Sequence, residues 1–240
     1  MKKILLSISS AVILAATSLH GQTIASFQET GAGGNLSGSY PIDFINDSIT
    51  GITLTADSNL DTAILALGSG ATAGTAGGSL GFASLTTSTF SDAISGNVYQ
   101  SFSLTPSTGF VLNISGVTFN ADASNETSTF DFNFLSSLTG FTTSDSLGSF
   151  SIVNSAKVTT TIATSGFDEL QGVTSSVEFR IYVNRSAGAG TVAYFADDGV
   201  NGGLFSFNGT VAAVPEPSTY AMLALAGAGL AGYTIRRRRR

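Results

Sequence analysis

Apolar and polar residues alternate along short stretches of this chain. In Thr129–Leu135 the side chains of Phe130, Phe132 and Phe134 fall on one face of an extended backbone, with polar residues between them. Val177–Val183 repeats the pattern with valine, phenylalanine and isoleucine on one face. A period of two is typical of strands that have one buried and one solvated face. The pattern therefore predicts β-structure for the body of the chain.

Further stretches carry the same signal, namely Ile24–Phe27, Gly51–Ala56, Ala63–Leu67, Val98–Thr105, Phe110–Ile114, Val117–Ala121, Gly148–Asn154, Lys157–Ala163, Thr191–Ala196 and Phe205–Phe207. About ten strands at intervals of roughly 8–12 residues favour an antiparallel sandwich or barrel. We predict an all-β fold, a single antiparallel β-sandwich of jelly-roll-like form over residues 22–213, with no helix before Ser218.

Glycine-containing segments separate the predicted strands. Asn201-Gly202 and Asn208-Gly209 favour the positive φ angles of tight turns, and Pro106 with Gly109 marks another turn. Gly68–Gly81 is low in sequence complexity and is predicted to be a loop.

The N-terminus has the pattern of a targeting segment. Lys2 and Lys3 precede an apolar run from Ile4 to Ala16, and small residues follow before Gln22. This order predicts a secretory signal peptide over residues 1–21, cleaved after Ser18 or after Gly21. The mature chain is long enough for one domain with a full core.

Charge and composition exclude several classes of function. Residues 22–214 contain fifteen acidic and three basic residues, a net charge of −12. Without a basic patch, nucleic acid is not expected as a partner. The chain has no cysteine, and its one histidine, His20, lies in the signal segment. This composition excludes Ser-His-Asp catalysis, cysteine nucleophiles and zinc sites built on histidine or cysteine. We therefore predict no enzymatic activity and no resident cofactor.

Carboxylates are the remaining catalytic candidates. A glycoside hydrolase needs two of them about 5–10 Å apart, and the candidates are Asp168-Glu169, Asp197-Asp198, and Asp131 with Glu178. Aspartates next to glycine and serine are also common in ordinary turns. A hydrolase is therefore the less favoured alternative.

Calcium is the metal ion for which the sequence offers candidate ligands. Asp197, Asp198 and Asn201 offer three side-chain oxygen donors within five residues. They lack the spacing of an EF-hand loop. A solvated acidic loop is the simpler interpretation, with a calcium site as the alternative.

Two further groups are candidates for ligand contact. Tyr40, Tyr99, Tyr182 and Tyr194 could stack on sugar rings, although rings packed against the protein are the simpler interpretation. Arg180 shares a strand face with Glu178, which predicts a surface ion pair worth under about 1 kcal/mol. The alternative for Arg180 is a clamp on a ligand or a sheet edge.

The C-terminal segment, residues 214–240, has three parts behind a short predicted linker, Val211–Val214. Pro215, Glu216 and Pro217 favour an extended backbone that no helix can cross. Residues 218–235 are small and apolar and predict a transmembrane helix of roughly 27 Å. Five arginines, Arg236, Arg237, Arg238, Arg239 and Arg240, would then hold the end on the cytoplasmic side.

These three parts together closely resemble the PEP-CTERM sorting signal of bacterial envelope proteins. In that family the signal is recognised near the Pro-Glu-Pro motif by exosortase, a membrane-embedded cysteine protease or transpeptidase. The resemblance implies that Pro215, Glu216 and Pro217 are recognition residues of a substrate. It also implies an inner-membrane anchor before processing, and a cell-surface or matrix location afterwards.

The body of the chain is similar, more weakly, to the β-sandwich domains that precede many such tails. The stretch Val177–Val183, the segment Ala187–Ala193 and the strand Phe205–Val211 carry this likeness. Membership implies a setting linked to biofilm and exopolysaccharide without implying an activity. We predict a non-enzymatic surface or matrix protein; the alternative is a carbohydrate-binding sandwich, with or without the assistance of Ca²⁺.

Overall fold

The computed structural model describes residues 22–29, 42–43, 52–74, 80–123, 127–153, 157–190, 192–195 and 204–214. The predicted signal peptide and the predicted tail from Pro215 onward lie outside these residues. Statements about strands, helices and contacts below refer to the described residues alone.

Fourteen strands account for most of the described residues. They are β1 Gln22–Glu29, β2 Ile42–Asp43, β3 Ile52–Ala56, β4 Leu60–Leu67, β5 Thr72–Gly74, β6 Leu80–Ala83, β7 Tyr99–Pro106, β8 Phe110–Ala123, β9 Thr129–Ser136, β10 Gly148–Val153, β11 Val158–Ala163, β12 Val177–Ala187, β13 Ala193–Phe195 and β14 Phe205–Ala213. A short helix, α1 (Phe90–Ser95), and a 3-10 turn at Asp168–Leu170 lie between them.

The strands form two antiparallel sheets. The large sheet has the order β3-β1-β14-β8-β13-β6-β5. The eighth strand, β11, lies off this path and pairs with β8 on the edge opposite to β14. The small sheet has the order β10-β9-β12-β7-β4-β2. The sheets face one another across a shared core, so the predicted antiparallel β-sandwich is confirmed.

Phenylalanine fills the space between the sheets. Phe130, Phe132 and Phe134 are each 0% exposed, as the alternation in β9 predicts. Phe205 of the large sheet reaches across to Phe102 of the small sheet, with ring centroids 4.2 Å apart. Such tilted and stacked rings add to the free energy gained by burial. The core therefore joins the two sheets through aromatic contacts.

One prediction about strand boundaries is wrong. Phe110–Ile114 and Val117–Ala121 were expected to be two strands, and both belong to β8. Asn208 of β14 pairs with Gly116 and the next residue pairs with Ile114, so Ser115 is an extra residue in β8. An extra residue reverses the alternation. The inward positions therefore change from even to odd numbers within one continuous strand.

The bulge also explains why Asn208-Gly209 is not a turn. Both residues lie inside β14, opposite Ser115. A Cβ atom on Gly209 would overlap the carbonyl oxygen of Asn113. Glycine here permits the close approach of two backbones at the bulge, and it does not reverse the chain.

We expect Gly209→Ala to destabilise the protein by about 1–3 kcal/mol, because the backbone of Asn113 must move to admit a methyl group. Urea unfolding of the purified protein measures this change. Gly166→Ala is the matched control, since no atom lies within 4 Å of the added methyl. Equal stability losses in the two variants would contradict a close backbone contact at Gly209.

Two other local predictions need correction. Gly68–Gly81, expected to be a loop, contains β5 and the start of β6. There Gly81 lets β13 approach, because a Cβ at this position would meet Cβ of Tyr194 at 2.8 Å. Helix α1 also contradicts the expectation of no helix before Ser218. Its six residues are too few to show a helical period, although the Thr89 hydroxyl caps it by accepting from the Asp92 amide at 3.1 Å.

Candidate functional site

Strand β14 runs up to the start of the predicted tail. Its last residue, Ala213, pairs with Phe110 of β8. The amide of Val214 then donates to the carbonyl of Gly109 at 2.8 Å, while the Val214 side chain is 44% exposed. The predicted linker Val211–Val214 is therefore wrong, because these residues are hydrogen-bonded to the sandwich. Ordered backbone pairing continues to the residue before Pro215.

The predicted sorting residues themselves lie outside the described residues. This holds for the Pro-Glu-Pro motif, for the predicted membrane helix at 218–235, and for the arginines Arg236, Arg237, Arg238, Arg239 and Arg240. Within the described ranges no helix is long and apolar enough to cross a membrane.

The calcium candidates Asp197, Asp198 and Asn201 also lie outside the described residues. In the part of the chain that the structure describes, no group of three or more histidine, aspartate or glutamate side chains is placed to hold a metal ion.

The structure does not bring Asp131 and Glu178 together. Asp131 lies opposite Asn184 of β12, six residues along that strand from Glu178. At about 3.3 Å per residue the two carboxylates are roughly 20 Å apart, well beyond the spacing of a glycosidase pair. Asp131 accepts hydrogen bonds from Ser151 and Asn184. Asp168 and Glu169 are exposed in the 3-10 turn.

Arg180 is the centre of a charged and aromatic cluster on the outer face of the small sheet. Its guanidinium binds both carboxylate oxygens of Glu178, at 2.8 and 3.3 Å, and donates to the Tyr182 hydroxyl at 3.3 Å. Its Cζ lies 4.4 Å from the ring centroid of Tyr99 and 3.8 Å from that of Phe141. The predicted ion pair is confirmed, and two rings enclose it.

The electrostatics of this cluster favour the charged guanidinium. Burial opposes the charge, but hydrogen bonds to Glu178 and Tyr182 outweigh it and raise the pKa of Arg180 above its ordinary value. Among the described residues, the guanidinium donates its hydrogen bonds to Glu178 and Tyr182, which lie on the same strand.

We expect Arg180→Lys to lower the free energy of unfolding by about 1–3 kcal/mol, because an ammonium cannot bind Glu178 in a fork or stack between two rings. Arg185→Lys is the matched control, since the Arg185 side chain makes a single hydrogen bond within the described residues, to the carbonyl of Gly190 at 3.0 Å. Chemical denaturation of both variants checks the difference. Equal losses in the two variants would show that the bidentate contact with Glu178 and the stacking on the two rings do not add to the free energy of unfolding.

The loop that carries Phe141 is held by Asp145. Its Oδ2 accepts the Thr142 hydroxyl at 2.7 Å and the Thr142 amide at 2.8 Å. These bonds, the hydroxyl first, lower the pKa of Asp145 below its ordinary value. Because the folded-state pKa is lowered, the stabilisation is present above the ordinary carboxyl pKa of about 3.9 and is lost as the pH falls towards the lowered value. At neutral pH the loop is fixed against Arg180.

The tyrosine candidates do not form an open platform in the described part of the chain. Tyr182 is 1% exposed and packs against Tyr99. Burial raises the pKa of the Tyr99 hydroxyl, and burial together with Asp122 raises the pKa of Tyr194. Tyr40 lies outside the described residues. The interpretation that these rings pack against the protein is confirmed for Tyr182.

A groove on the outer face of the large sheet was not anticipated from the sequence. It encloses about 530 Å³ and crosses β3, β1, β14 and β8. Thr55, Ser26, Ser206 and Thr118 line it from one strand to the next, and Asn120 and Asp57 lie among the other lining residues. This volume is within the range of about 300–1,000 Å³ typical of small-molecule sites.

Strand pairing places five hydroxyl side chains in one line, here called the hydroxyl row: Thr161, Thr118, Ser206, Ser26 and Thr55. Each member is the direct cross-strand partner of the next, on β11, β8, β14, β1 and β3. The hydroxyls of Thr161 and Thr118 bond to one another at 2.9 Å. Among the described residues, the hydroxyls of Ser206, Ser26 and Thr55 have no hydrogen-bond partner. The sequence offered no signal for this row, since it depends on strand register.

Comparison with known proteins bears on the tail. The model of the PEP-CTERM protein-sorting motif matches residues 213–240. No curated protein matches the sequence. Among solved structures, the chain is similar to a mutant of Xylanase10C from Cellvibrio japonicus in complex with xylopentaose, at 10% identity and a TM-score of 0.28. That match covers 81% of this chain and 28% of the xylanase chain, so the protein spans under a third of the xylanase's length.

The family match begins at Ala213, the last residue of β14, and continues over the three parts that the sequence distinguishes. The motif thus follows the folded sandwich without an intervening spacer. The chain therefore carries a PEP-CTERM protein-sorting motif, which indicates a secreted protein that an exosortase processes.

Proposed function

We propose that the protein is a non-enzymatic component of the bacterial cell surface or extracellular matrix, delivered by its tail and released from the inner membrane by an exosortase. One observation carries this proposal. Every described strand is complete by Ala213, and backbone pairing continues to Val214. Cleavage beyond Val214 therefore removes no part of the described sandwich.

The chemistry of the sandwich supports a passive role. Residues 22–214 contain neither cysteine nor histidine. Asp131 and Glu178 lie far apart on the small sheet, and each is engaged by neighbouring side chains. The net charge of −12 favours solubility outside the cell. An association with biofilm exopolysaccharide is consistent with such a surface if the polysaccharide is uncharged.

The test compares the native host with a strain that lacks its exosortase. In the native host we expect the protein in the surface or extracellular fraction, at a mass below that of the precursor. In the mutant strain we expect it in the inner membrane at the precursor mass. The same fraction and mass in both strains would contradict the proposal. Product release from matrix polysaccharides by the purified protein would contradict the non-enzymatic role.

Carbohydrate binding is a second candidate function, and the groove on the large sheet favours it. Calcium assistance through Asp197, Asp198 and Asn201 is part of that candidate. If a chelator leaves carbohydrate binding unchanged, calcium takes no part in that binding.

A further inference from the structure

The groove on the large sheet presents hydroxyl groups at regular intervals. Neighbouring strands lie about 4.8 Å apart, so the three steps between Thr118 and Thr55, the ends of the part of the row that lines the groove, span roughly 14 Å. Three consecutive members, Ser206, Ser26 and Thr55, have no hydrogen-bond partner among the described residues. A hydroxyl both donates and accepts. The floor of the groove therefore offers a repeating set of free donors and acceptors along a line longer than a single sugar ring.

We infer that this groove binds a neutral polysaccharide chain laid across the strands of the large sheet. Such a chain presents hydroxyl groups at repeated intervals, and each can donate to or accept from the row. Asn120 adds an amide among the lining residues, and Asp57 adds a carboxylate that accepts sugar hydroxyls. The inference rests on the second candidate function, carbohydrate binding at this groove, and names its ligand class; it does not depend on the surface or matrix role.

Charge selects the class of polysaccharide. Among the described residues that line the groove there is no lysine or arginine, and Asp57 contributes a negative charge. The body of the chain carries a net charge of −12. Polyuronates and sulfated or phosphorylated chains would be repelled, and no cationic side chain in the described lining offsets the repulsion. Neutral hexose and pentose polymers avoid this cost.

The floor is rigid before a ligand arrives. Ser26 and Ser206 lie on β1 and β14, which are paired on both sides within the large sheet. Phe27, Phe205 and Phe207, their neighbours in sequence, are buried in the core. Little conformational entropy is therefore lost when the two serines bind a ligand. Binding depends on hydrogen bonds, since Phe205, the one aromatic residue in the described lining, is only 1% exposed.

Affinity electrophoresis tests this inference with the full chain. The protein is kept in a polyoxyethylene detergent, because maltoside detergents carry sugar headgroups. The gels contain hydroxyethyl cellulose, xylan or galactomannan as neutral polymers, or alginate as the anionic polymer. We expect retardation by at least one neutral polymer and none by alginate at the same concentration.

A double variant locates the site. Ser26→Ala with Ser206→Ala removes two free hydroxyls and no hydrogen bond within the described residues. We expect the affinity to fall about tenfold, as for the loss of two hydrogen bonds of ordinary net strength. Ser149→Ala, at an exposed and outward-facing position of β10 in the small sheet, is the matched control and should bind as the wild type does. Thr55→Val on the edge strand β3 provides an independent variant if the double variant unfolds.

Each remaining outcome overturns the inference. If none of the three neutral polymers retards the protein, the inference that it binds neutral polysaccharides is wrong. If alginate retards the protein as strongly as the neutral polymers do, the negative charge of the groove does not exclude anionic polysaccharides. Undiminished binding by folded Ser26→Ala, Ser206→Ala and Thr55→Val variants, or equal losses with Ser149→Ala, would place the binding elsewhere. These experiments use purified protein and leave the sorting claim unaffected.

Discussion

Phe205→Ala is expected to lower the free energy of unfolding by about 3–5 kcal/mol, because it leaves a cavity where both sheets meet. The Phe205 ring is 1% exposed and lies 4.2 Å from both Phe27 and Phe102, measured between centroids. Its other ring contacts include Phe195 at 6.0 Å and Phe207 at 6.2 Å. A single domain is typically stable by only about 5–15 kcal/mol, so this one change removes a large part of the total.

Urea unfolding followed by circular dichroism measures this loss, since the chain has no tryptophan to serve as a fluorescent probe. Phe205→Leu keeps most of the apolar volume and should be markedly less destabilising than the alanine variant. Val153→Ala, at a position that is 48% exposed, should change stability by no more than about 0.5 kcal/mol. An alanine variant as stable as the Val153 control would contradict the aromatic core.

Replacement of Pro215, Glu216 and Pro217 by three alanines is expected to reduce processing of the chain by at least about tenfold, equivalent to about 1.4 kcal/mol of lost transition-state binding. Two prolines fix an extended backbone that a protease can bind without ordering it first. Alanines remove that restriction and the Glu216 carboxylate together. Immunoblots of fractionated cells, which separate precursor from processed protein, measure the ratio of the two.

The control for this triple change is Val214→Ala. Val214 lies directly before the motif, and its backbone bond to Gly109 does not depend on its side chain. Its side chain is 44% exposed, so the sandwich should remain unaffected. We expect normal processing of this variant. Normal processing of the three-alanine chain as well would show that the Pro-Glu-Pro residues are not what the exosortase recognises.

Alternation of side chains was a sufficient guide to most strands. The inward phenylalanines of β9, and those of β14, were identified because burial on one face imposes a period of two. The same rule failed locally at Ser115, where a bulge reverses the period and makes one strand resemble two. Helix α1 was missed because six residues are too short for a helical period to emerge.

The two candidate sites differ in how far the sequence could reveal them. The sorting motif is linear, so Pro215, Glu216 and Pro217 can be recognised without any knowledge of the fold. The hydroxyl row joins Ser26 to Ser206 and Thr55, residues that are adjacent only through strand pairing. Register between distant strands is set by the packed core as a whole. Ser and Thr are also so common along this chain that composition could not distinguish the row from any other outward-facing position.

We propose that the folded sandwich precedes a sorting tail that is removed after export. Mass spectrometry of the protein recovered from the surface or medium of its native host, with sequencing of its terminal peptides, tests it most directly. We expect an N-terminus just after Ser18 or Gly21 and a C-terminus near Pro215–Pro217, without the arginines at 236–240. A mature protein that retains Arg236–Arg240 would contradict it.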